Sequence, residues 1–586
     1  MICDTKCQSE IQNIKRFINT FESQNKENSQ SNIFNDVKNT PKQDKIESQA
    51  QNVCRIEAHT RVFDWKQPPN KSGGTSGVGT GFVLKSITHP DDETIYVITA
   101  HHVIQNAIKI RVKFTKLSSE YTDAEIIGLN PQYDLALIAI KSKPLKKLIP
   151  GFDVGNSDKL KQTANVTALG FALGKDHLQT TIGVISGRIS DPSRLQTNCD
   201  VNPGNSGGPL VQSNDLTKVI GLVTSGLTNA NAIYYAAPIN EALIMVQRML
   251  NAKQYVPTPL TASNANYDRI PSLNCSFTKC NSILLDHTGK KNSDGIYCTA
   301  VHHAVDVPQT IDLAIENLKK HSGKICVEAI KHLKNFTIST FMTKCKWKTL
   351  CLKKFNAHHT AYIISCLRND TIRKGDIVCC MHINGKKYEI DTDMSCQFDF
   401  WSDRLTYSSI FDRLSINDVV KLDVWRKVSK YELVTVNIKV QENKNTFRKM
   451  YPDVEHIPFV SLGGIFIMPL LANHLPLFKD GGMTTLMNTP SSSHTSHLLI
   501  THIMAESPFK NSKTVAVGDM IISINGKPVQ CIKSLMHYWK QFTGKNEPIT
   551  LHMRDGSLGS STIESINSAH EKIINEYGAN FVTKFE

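Results

Sequence analysis

A glycine-rich turn around Ser206 is the part of this sequence best suited to chemistry. It reads Asn202-Pro203-Gly204-Asn205-Ser206-Gly207-Gly208 and leads directly into an apolar segment. Glycines on both sides of a serine allow backbone N–H groups to point toward the same place as the hydroxyl. A serine needs this geometry to attack a carbonyl carbon and to stabilise the negative oxygen that forms. Taken alone, the turn fits an ordinary loop equally well.

Two partners for a nucleophilic serine lie upstream of this turn. The apolar residues 94–99 lead into the pair His101-His102, and Asp134 precedes the apolar residues 135–138. A serine becomes nucleophilic when a histidine accepts its proton, and an aspartate fixes the tautomer of that histidine. The chain order His, Asp, Ser is that of chymotrypsin-like enzymes and differs from the subtilisin and α/β-hydrolase orders. Each segment alone fits a strand end or a strand cap, but together they predict a catalytic triad.

The elements that must position these residues are short β-strands. From residue 54 to about residue 252, apolar segments alternate with turns containing Gly, Asp, Asn and Ser, a pattern typical of a double β-barrel. An apolar periodicity over residues 241–250 predicts a closing helix. Before this region, the chain is rich in Asn, Gln, Ser and Lys, which predicts a disordered polar tail.

These segments resemble the Deg/HtrA family of serine proteases. In Thr99-Ala100-His101-His102-Val103 the family pattern selects His102 over His101, so the resemblance implies the catalytic residues His102, Asp134 and Ser206. Gly79-Thr80-Gly81-Phe82-Val83 and Gly183-Val184-Ile185-Ser186 are similar to two further family segments. The chain departs from the family pattern in two places. His101 replaces a small or amide residue and is expected to perturb the neighbouring base, and Asn198-Cys199-Asp200 replaces Asp-Ala-Ala.

Asn205 bears on how the enzyme would be activated. Digestive enzymes of the chymotrypsin type carry an aspartate at this place, which pairs with a newly cut N-terminus, and an amide cannot form that ion pair. We therefore expect loops or partners to order the oxyanion hole. Its donors should be the N–H groups of Gly204 and Ser206.

The substrate pocket has two alternatives. Asp200 falls where the trypsin pattern has an acidic pocket floor, which would favour a basic side chain before the cut. The family resemblance instead implies small aliphatic residues, and we favour this alternative. Residues 221–226 are expected to form one pocket wall through Val223, Thr224 and Ser225, or else to be a barrel strand without substrate contact.

An imperfect repeat marks the second half of the chain. Gly375-Asp376-Ile377 precedes Ile383-Asn384-Gly385-Lys386, and Gly518-Asp519-Met520 precedes Ile524-Asn525-Gly526-Lys527. Gly-Asp sets a turn into a strand and Asn-Gly sets the next turn, and each copy resembles a PDZ domain. In the second copy, the loop and strand that receive a peptide carboxylate are similar to Leu462, Gly463, Gly464 and Ile465. Residues 272–277 are a poorer equivalent in the first copy.

The predicted fold is mostly β and multi-domain, with a chymotrypsin-like double β-barrel followed by two PDZ-like α+β domains. The expected parts are a disordered polar tail (1–53), a trypsin-like serine protease domain (54–252), a first PDZ-like domain with an insertion near 286–356 (265–442), a second PDZ domain (455–556) and a C-terminal helix (557–586). This arrangement looks most like the plant and fungal Deg proteins with two PDZ domains.

The composition indicates which class of protein this is and where in the cell to expect it. With 40% hydrophobic and 20% charged residues, the chain of 586 residues is typical of soluble globular proteins. It begins without the apolar core of a secretory signal and contains no apolar run long enough to span a bilayer. We therefore expect an intracellular protein, cytoplasmic or nuclear, without a membrane partner.

The cysteines and the basic residues bear on whether the protein binds a metal ion or nucleic acid. The 15 cysteines lack framework spacing and are expected to be reduced thiols. Cys275, Cys280, Cys298, His302 and His303 are irregularly spaced, so neither a metal nor another cofactor is expected. The net charge of +14 is spread along the chain, with its best basic cluster at 344–348. Nucleic acid is therefore not expected as a partner.

The leading hypothesis is an ATP-independent serine endopeptidase that cleaves unfolded or PDZ-captured proteins. PDZ modules bind extended termini by strand addition, and the sequence shows no Walker-type phosphate loop. The resemblance implies a homo-oligomer, trimeric or larger, often formed through aromatic residues near the start of the protease domain. Phe63 and Trp65 are candidates for this interface, and a place in the core fits them equally well. The alternative is a PDZ-based binding or chaperone-like scaffold with a resting protease domain, because an unformed oxyanion hole leaves no trace in a sequence.

Overall fold

The computed structural model describes residues 43–251, 266–279, 296–301, 315, 319, 327–331 and 372–583, apart from residues 92, 191, 227–232, 274, 374, 428–430, 443–446, 479–482, 489–495 and 511–513. Most of the expected insertion near 286–356 and the basic cluster at 344–348 lie outside the described residues. Strand Ile296–Val301, however, falls within the range expected for the insertion.

Six antiparallel strands close into a first barrel. They are β1 (Val53–Phe63), β2 (Lys71–Phe82), β3 (Thr94–Thr99), β4 (Ala107–Lys113), β5 (Thr122–Asn130) and β6 (Leu135–Lys141). The order is β5-β4-β1-β2-β3-β6, and pairing of β5 with β6 closes the barrel. The run Leu-Ala-Leu-Ile-Ala-Ile of β6 is buried along its whole length, as expected for a strand covered on both faces.

A second barrel follows with the same number of strands. It contains β8 (Asn165–Gly170), β9 (Gln179–Ile189), β10 (Arg194–Thr197), β11 (Pro209–Gln212), β12 (Asp215–Gly226) and β13 (Tyr234–Pro238). The order is β11-β8-β9-β10-β13-β12, closed by β11 and β12, while the short β7 (Asp153–Val154) lies parallel to β12. The chain therefore has the double barrel that the sequence predicts.

Helices flank the barrels. They are α1 (Gln43–Gln49), α2 (His101–Ile104), α3 (Lys143–Leu148) and α4 (Ile239–Asn251), with short 3-10 turns at Ala50–Asn52, Ser157–Lys159 and Ala172–Gly174. Helix α4 buries Met245, Val246 and Met249 against the barrel core. The polar tail that the sequence predicts to be disordered is helical from residue 43 onward, where Ile46 packs against the same core.

A third sheet lies in the range where the sequence predicts the first PDZ-like domain, and we keep that name for it. Its order is β16-β17-β18-β22-β23 with β19 beside β18, and it comprises β16 (Cys275–Lys279), β17 (Ile296–Val301), β18 (Ile377–Ile383), β19 (Lys386–Glu389), β22 (Val419–Lys427) and β23 (Tyr431–Lys439). Shorter pairs are β15 (Pro271–Ser272) with β24 (Gln441–Glu442) and β20 (Ser395–Cys396) with β21 (Leu405–Thr406), and β14 (Asn266–Tyr267) extends the first barrel. One buried cluster includes both this domain and the second barrel.

A buried network of charges also joins this domain to the second barrel. The guanidinium of Arg188 bonds to Glu241, and both side chains are fully buried. Arg413, in the 3-10 turn Tyr407–Arg413, donates to Glu241 Oε1 at 3.0 Å and to Asp158 Oδ2 at 2.9 Å. Breaking one partner of such a network leaves an uncompensated buried charge, which is strongly destabilising.

A fourth sheet forms the second PDZ domain. Its strands are β25 (Val460–Leu462), β26 (Ile465–Pro469), β27 (Leu498–Ile503), β28 (Met520–Ile524), β29 (Lys527–Pro528), β30 (Ile549–Met553) and β31 (Leu558–Ser561). Its helices are α5 (Met483–Asn488), α6 (Ile532–Gly544) and α7 (Ile563–Tyr577), with 3-10 turns at Ala472–His474 and Ala579–Phe581. Within the described ranges, no helix combines the length and hydropathy needed to cross a bilayer.

Candidate active site

His102 and Asp134 form a hydrogen-bonded pair. His102 lies on α2 directly after β3, and Asp134 lies in the turn between β5 and β6. The atoms His102 Nδ1 and Asp134 Oδ2 are 2.8 Å apart, and the backbone N–H of His102 donates to Asp134 Oδ1 at 2.9 Å. Because an ionised carboxylate only accepts hydrogen bonds, Nδ1 carries the proton. Nε2 is therefore the basic atom, as needed to accept a proton from a serine.

The turn that carries Asp134 is held by both barrels. Asp134 has φ +53°, a left-handed conformation that is uncommon for residues other than glycine. Asn130 Oδ1 accepts the N–H of Tyr133 at 2.9 Å, and Arg194 Nη2 from the second barrel donates to the Tyr133 carbonyl oxygen at 2.7 Å. The Arg194 guanidinium lies over the buried Tyr133 ring at 4.1 Å. These contacts stabilise a conformation that would otherwise be strained.

The contact between the two groups shifts both pKa values. Burial acts to lower the pKa of His102, but the hydrogen bond and the charge of Asp134 outweigh it and raise that pKa. Burial acts to raise the pKa of Asp134, yet the hydrogen bonds from His102 and the positive charges of His102 and His101 lower it. Asp134 is thus an ionised partner, and His102 is more basic than an ordinary histidine.

The turn that carries Ser206 is fixed by neighbouring strands. Thr80 N–H donates to the Ser206 carbonyl oxygen at 2.9 Å, and Gly207 N–H donates to the Val223 carbonyl oxygen at 2.8 Å. Gly207 has φ +84°, and a Cβ there would lie 2.2 Å from the Thr80 carbonyl oxygen. No other residue fits that position, so the glycine after the serine has a structural cause.

The Ser206 hydroxyl points to a carbonyl oxygen in this conformation. Ser206 Oγ donates to the Thr224 carbonyl oxygen at 3.2 Å. Among the described residues, no hydrogen bond joins Ser206 Oγ to His102. Attack on a substrate therefore requires the hydroxyl to turn from Thr224 toward His102 Nε2.

The expected oxyanion donors are unoccupied within the described part of the chain. Neither the N–H of Gly204 nor that of Ser206 donates to a protein acceptor there. The Pro203 carbonyl oxygen accepts the N–H of Leu173 at 2.6 Å. Because the peptide unit is trans and planar, this contact turns the Gly204 N–H to the opposite side. A loop residue, not a buried N-terminus, thus orients this peptide unit.

Thr80 has a role that sequence reasoning missed. Its side chain is buried, and its Oγ1 donates to the Gly204 carbonyl oxygen at 2.6 Å and accepts the N–H of Phe171 at 3.0 Å. Thr80 therefore connects the first barrel, the serine turn and the loop that holds Pro203. The sequence signal for this role was a threonine between two glycines, Gly79-Thr80-Gly81.

The expected pocket residues have different surroundings. Asp200 is exposed, and the Tyr234 hydroxyl donates to its Oδ1 at 2.5 Å. Val223 is buried in the hydrophobic core, and Thr224 Oγ1 donates to the Tyr235 carbonyl oxygen at 3.1 Å. Ser225 is exposed at the end of β12. The Val223 side chain therefore does not line an open pocket, whereas the backbone of Thr224 lies next to Ser206.

The four residues expected to bind a peptide carboxylate form a tight hairpin turn. Leu462 pairs with Ile465, which leaves Gly463 and Gly464 as the two turn residues, with φ +58° and +76°. Positive φ at both positions is typical of a type I′ turn. The N–H of Gly463 donates to His570 Nε2 of α7 at 2.8 Å. Leu462 and Ile465 are fully buried.

The C-terminal segment covers the same edge of the second PDZ domain. Ser461 N–H donates to Thr583 Oγ1 at 2.7 Å, and Thr583 N–H donates to the Ser461 carbonyl oxygen at 3.1 Å. The Phe581 ring packs edge-on against the buried Phe466 at 6.1 Å. The predicted peptide site is thus covered by the chain's own residues.

Trp65, a candidate for an oligomer interface, contacts the second PDZ domain. Its ring lies 4.7 Å from Phe63 and 5.6 Å from His474, both edge-on. Thr501 Oγ1 donates to the Lys66 carbonyl oxygen at 2.9 Å. Both expected interface residues therefore lie in an aromatic contact within the chain.

The described residues contain no group of three His, Cys, Asp or Glu side chains arranged to hold a metal ion. Three of the five irregularly spaced cysteines and histidines considered as metal ligands, Cys280, His302 and His303, lie outside the described residues.

Two family models match the chain. Residues 79–222 match the trypsin-like peptidase domain, and residues 482–554 match the PDZ domain. The first range contains His102, Asp134 and Ser206. The second contains α6 but not the hairpin of β25 and β26.

Relatives match the protease region. The serine protease HhoB of Synechocystis sp. is 32% identical over 192 residues, which cover 31% of this chain and 42% of HhoB. A DegP-like periplasmic serine endoprotease of Chlamydia trachomatis is 34% identical over 186 residues, which cover 30% of this chain and 34% of that protein. The chain thus spans less than half the length of these relatives. Among solved structures, the HtrA-type protease AlgW with a decapeptide aligns over 68% of this chain and 97% of its own, with 16% identity and a TM-score of 0.42.

These relatives correct one expectation. DegP-like proteins of Chlamydia trachomatis and Marinomonas sp. are named as periplasmic, so the prediction of a cytoplasmic or nuclear protein is wrong. That prediction was drawn from the first residues of the sequence and not from the folded domains. A leader is a processing segment that leaves no mark on the folded domains.

Proposed function

We propose that this chain is a serine endopeptidase of the Deg/HtrA type that uses His102, Asp134 and Ser206. The observation that carries the proposal is the double hydrogen bond from His102 to Asp134, which leaves Nε2 free to act as a base. Chemistry of this kind requires an oriented, basic imidazole next to a serine on a rigid turn.

The proposed reaction has two halves. His102 Nε2 accepts the Ser206 hydroxyl proton while Oγ bonds to the carbonyl carbon of the scissile peptide, and the imidazolium then donates that proton to the leaving amine nitrogen. A water molecule next attacks the acyl-enzyme, again losing its proton to Nε2, which returns it to Ser206 Oγ as the new carboxylate leaves. Asp134 remains ionised throughout and stabilises the imidazolium.

The N–H groups of Gly204 and Ser206 are the proposed donors to the oxyanion. They are supported by the absence of a competing acceptor within the described residues and by the contact of Leu173 with Pro203. Preformed donors of this kind stabilise charge that develops only in the transition state.

The proposed substrates are protein segments in extended conformation, bound along the exposed end of β12 at Ser225 and Gly226. We favour small aliphatic residues before the cut. The Asp200 carboxylate is exposed and already accepts the Tyr234 hydroxyl, which makes it a weak anchor for a basic side chain. Cleavage without ATP, capture by PDZ domains and assembly into a homo-oligomer are parts of the same proposal.

A second function remains favoured by one observation. Ser206 Oγ donates to Thr224 and not to His102, as in a resting protease. A PDZ-based scaffold with a resting protease domain is therefore the alternative.

The test is digestion of casein by the wild type, Ser206→Ala and His102→Ala, with the cut sites mapped by mass spectrometry. Loss of cleavage in both variants would support the endopeptidase, and small residues before the cuts would support the favoured specificity. Absence of cleavage by the wild type, even with C-terminal peptides added, would favour the scaffold. Light scattering on the same samples gives the oligomeric state.

A further inference from the structure

The neighbour of the proposed base is paired with a residue from the other half of the chain. His101 Nε2 and Asp453 Oδ2 are 2.6 Å apart, although 352 residues separate them in sequence. The two side chains are only 3% and 1% exposed. In such a shielded place a charge-assisted hydrogen bond is strong, and loss of one partner leaves the other poorly solvated. His101 is also where the sequence departs from the family pattern.

Part of residues 447–455, which we call the docking segment, packs into the first barrel around this pair. The Tyr451 ring lies edge-on to the His101 ring at 5.9 Å. Tyr451 and Val454 belong to the same buried cluster as Val103 and Ile104 of α2. Because α2 has only four residues, its position depends on such contacts more than on its own hydrogen bonds.

The docking segment is also tied to the second PDZ domain. Met450 N–H donates to Asn473 Oδ1 at 2.8 Å, and Asn473 Nδ2 donates to the Met450 carbonyl oxygen at 2.9 Å. Ala472 N–H donates to the Arg448 carbonyl oxygen at 3.2 Å. One end of the segment therefore holds the helix that carries His102, and the other end holds the Ala472–His474 turn.

The segment extends close enough to the triad to be affected by its charge. Burial, together with the carboxylates of Glu455, Asp134 and Asp453, raises the pKa of Tyr451 to about 12. Tyr451 thus lies within electrostatic reach of the proposed triad aspartate.

We propose that His101 and Asp453 are positioning residues that lock the docking segment against α2 and so hold His102 in its bond to Asp134. The inference rests on the proposed function, in which His102 is the base.

The experiment is a double-mutant cycle of Asp453→Asn and His101→Asn in the full chain, with kcat and KM measured on a fluorogenic peptide taken from a mapped casein cut. Asparagine keeps the size of aspartate but removes the charge. We expect kcat of Asp453→Asn to fall by about tenfold or more, because small displacements of a catalytic group are costly. We expect KM to stay within about twofold. The kcat of the double variant should be no lower than that of the less active single variant.

The control is Asp423→Asn, which breaks the His382–Asp423 pair (2.7 Å) in the first PDZ-like domain. Unchanged kcat in Asp453→Asn, or losses in the two single variants that simply add, would overturn the proposal. Hydrogen exchange of residues 100–106 provides a readout that does not need activity. If the wild type cleaves nothing, the proposed function fails, and faster exchange there in Asp453→Asn but not in Asp423→Asn still decides whether the pair holds α2.

Discussion

The backbone N–H of Gly463 donates a hydrogen bond to Nε2 of His570, with 2.8 Å between the two nitrogen atoms. Burial lowers the pKa of His570, so its imidazole is neutral near pH 7 and can accept this bond. Gly463 lies in the turn that resembles a carboxylate-binding loop. Helix α7 therefore occupies a donor of the turn where the sequence predicts that a peptide terminus binds.

We expect His570→Ala to strengthen the binding of a peptide with an apolar C-terminus by about fivefold, since a hydrogen bond contributes about 1 kcal/mol. Removal of residues 563–586 should strengthen it further. Fluorescence anisotropy with a labelled peptide measures the change, and Glu571→Ala, an exposed neighbour on α7, is the matched control. Equal affinity in all three variants would show that α7 does not compete with peptides.

Asp134→Asn should lower kcat by about 10⁴-fold, because an amide favours the wrong tautomer of His102. The fold should persist, since Asn tolerates the left-handed conformation that Asp134 adopts. Peptide hydrolysis gives the rate, and circular dichroism verifies the fold. A loss of only a few-fold would contradict the proposed role of Asp134.

Thr80→Val should lower kcat by about tenfold. The substitution keeps the shape of the side chain but leaves the Gly204 carbonyl oxygen and the Phe171 N–H without their partner, at a cost of about 1–3 kcal/mol for each buried group. The serine turn should loosen as a result. Thr75→Val on the same strand, where the hydroxyl is exposed, is the control for steady-state kinetics. Equal rates in the two variants would count against Thr80 as a support of the turn.

Acid should loosen the contact between Trp65 and the second PDZ domain. Burial lowers the pKa of His474 from its ordinary 6.5 to about 4. The folded-state pKa lies below the unfolded one, so the stabilisation from neutral His474 is complete above about pH 6.5 and is lost as the pH falls toward 4. At pH 5 the loss should be about 2 kcal/mol.

Urea unfolding of the wild type and of His474→Gln at pH 7 and pH 5 measures this effect. The variant should lose less stability over that interval, because its side chain cannot take up a proton. The exposed His537→Gln serves as the control and should behave like the wild type. The same pH dependence in all three proteins would contradict the prediction.

The fold class could be predicted from sequence because it depends on local patterns. Alternating apolar segments and the His, Asp, Ser order indicated the double barrel, and Gly-Asp and Asn-Gly turns indicated the PDZ sheets. These signals lie within a few residues of the features they predict.

Several side-chain contacts at the site could not be predicted, because they join residues that are distant in sequence. Nothing local to His101 indicates Asp453, and nothing local to Gly463 indicates His570. Thr80 lies in the segment 79–83 that resembles the family, yet its contacts with Gly204 and Phe171 form only when the two barrels pack together. The compartment was predicted wrongly because that prediction used no residue of the folded domains, on which a leader leaves no mark.

The buried network of Arg188, Glu241, Arg413 and Asp158 has a consequence for how the molecule comes apart. The third sheet shares one core with the second barrel and is bonded to it by a charge network in which Arg188 and Glu241 are fully buried. The two should therefore melt in a single cooperative transition, and a fragment cut between residues 252 and 265 should lose its solubility. We therefore expect the smallest stably folded unit that contains the proposed triad to extend through residue 442, well past the end of the second barrel.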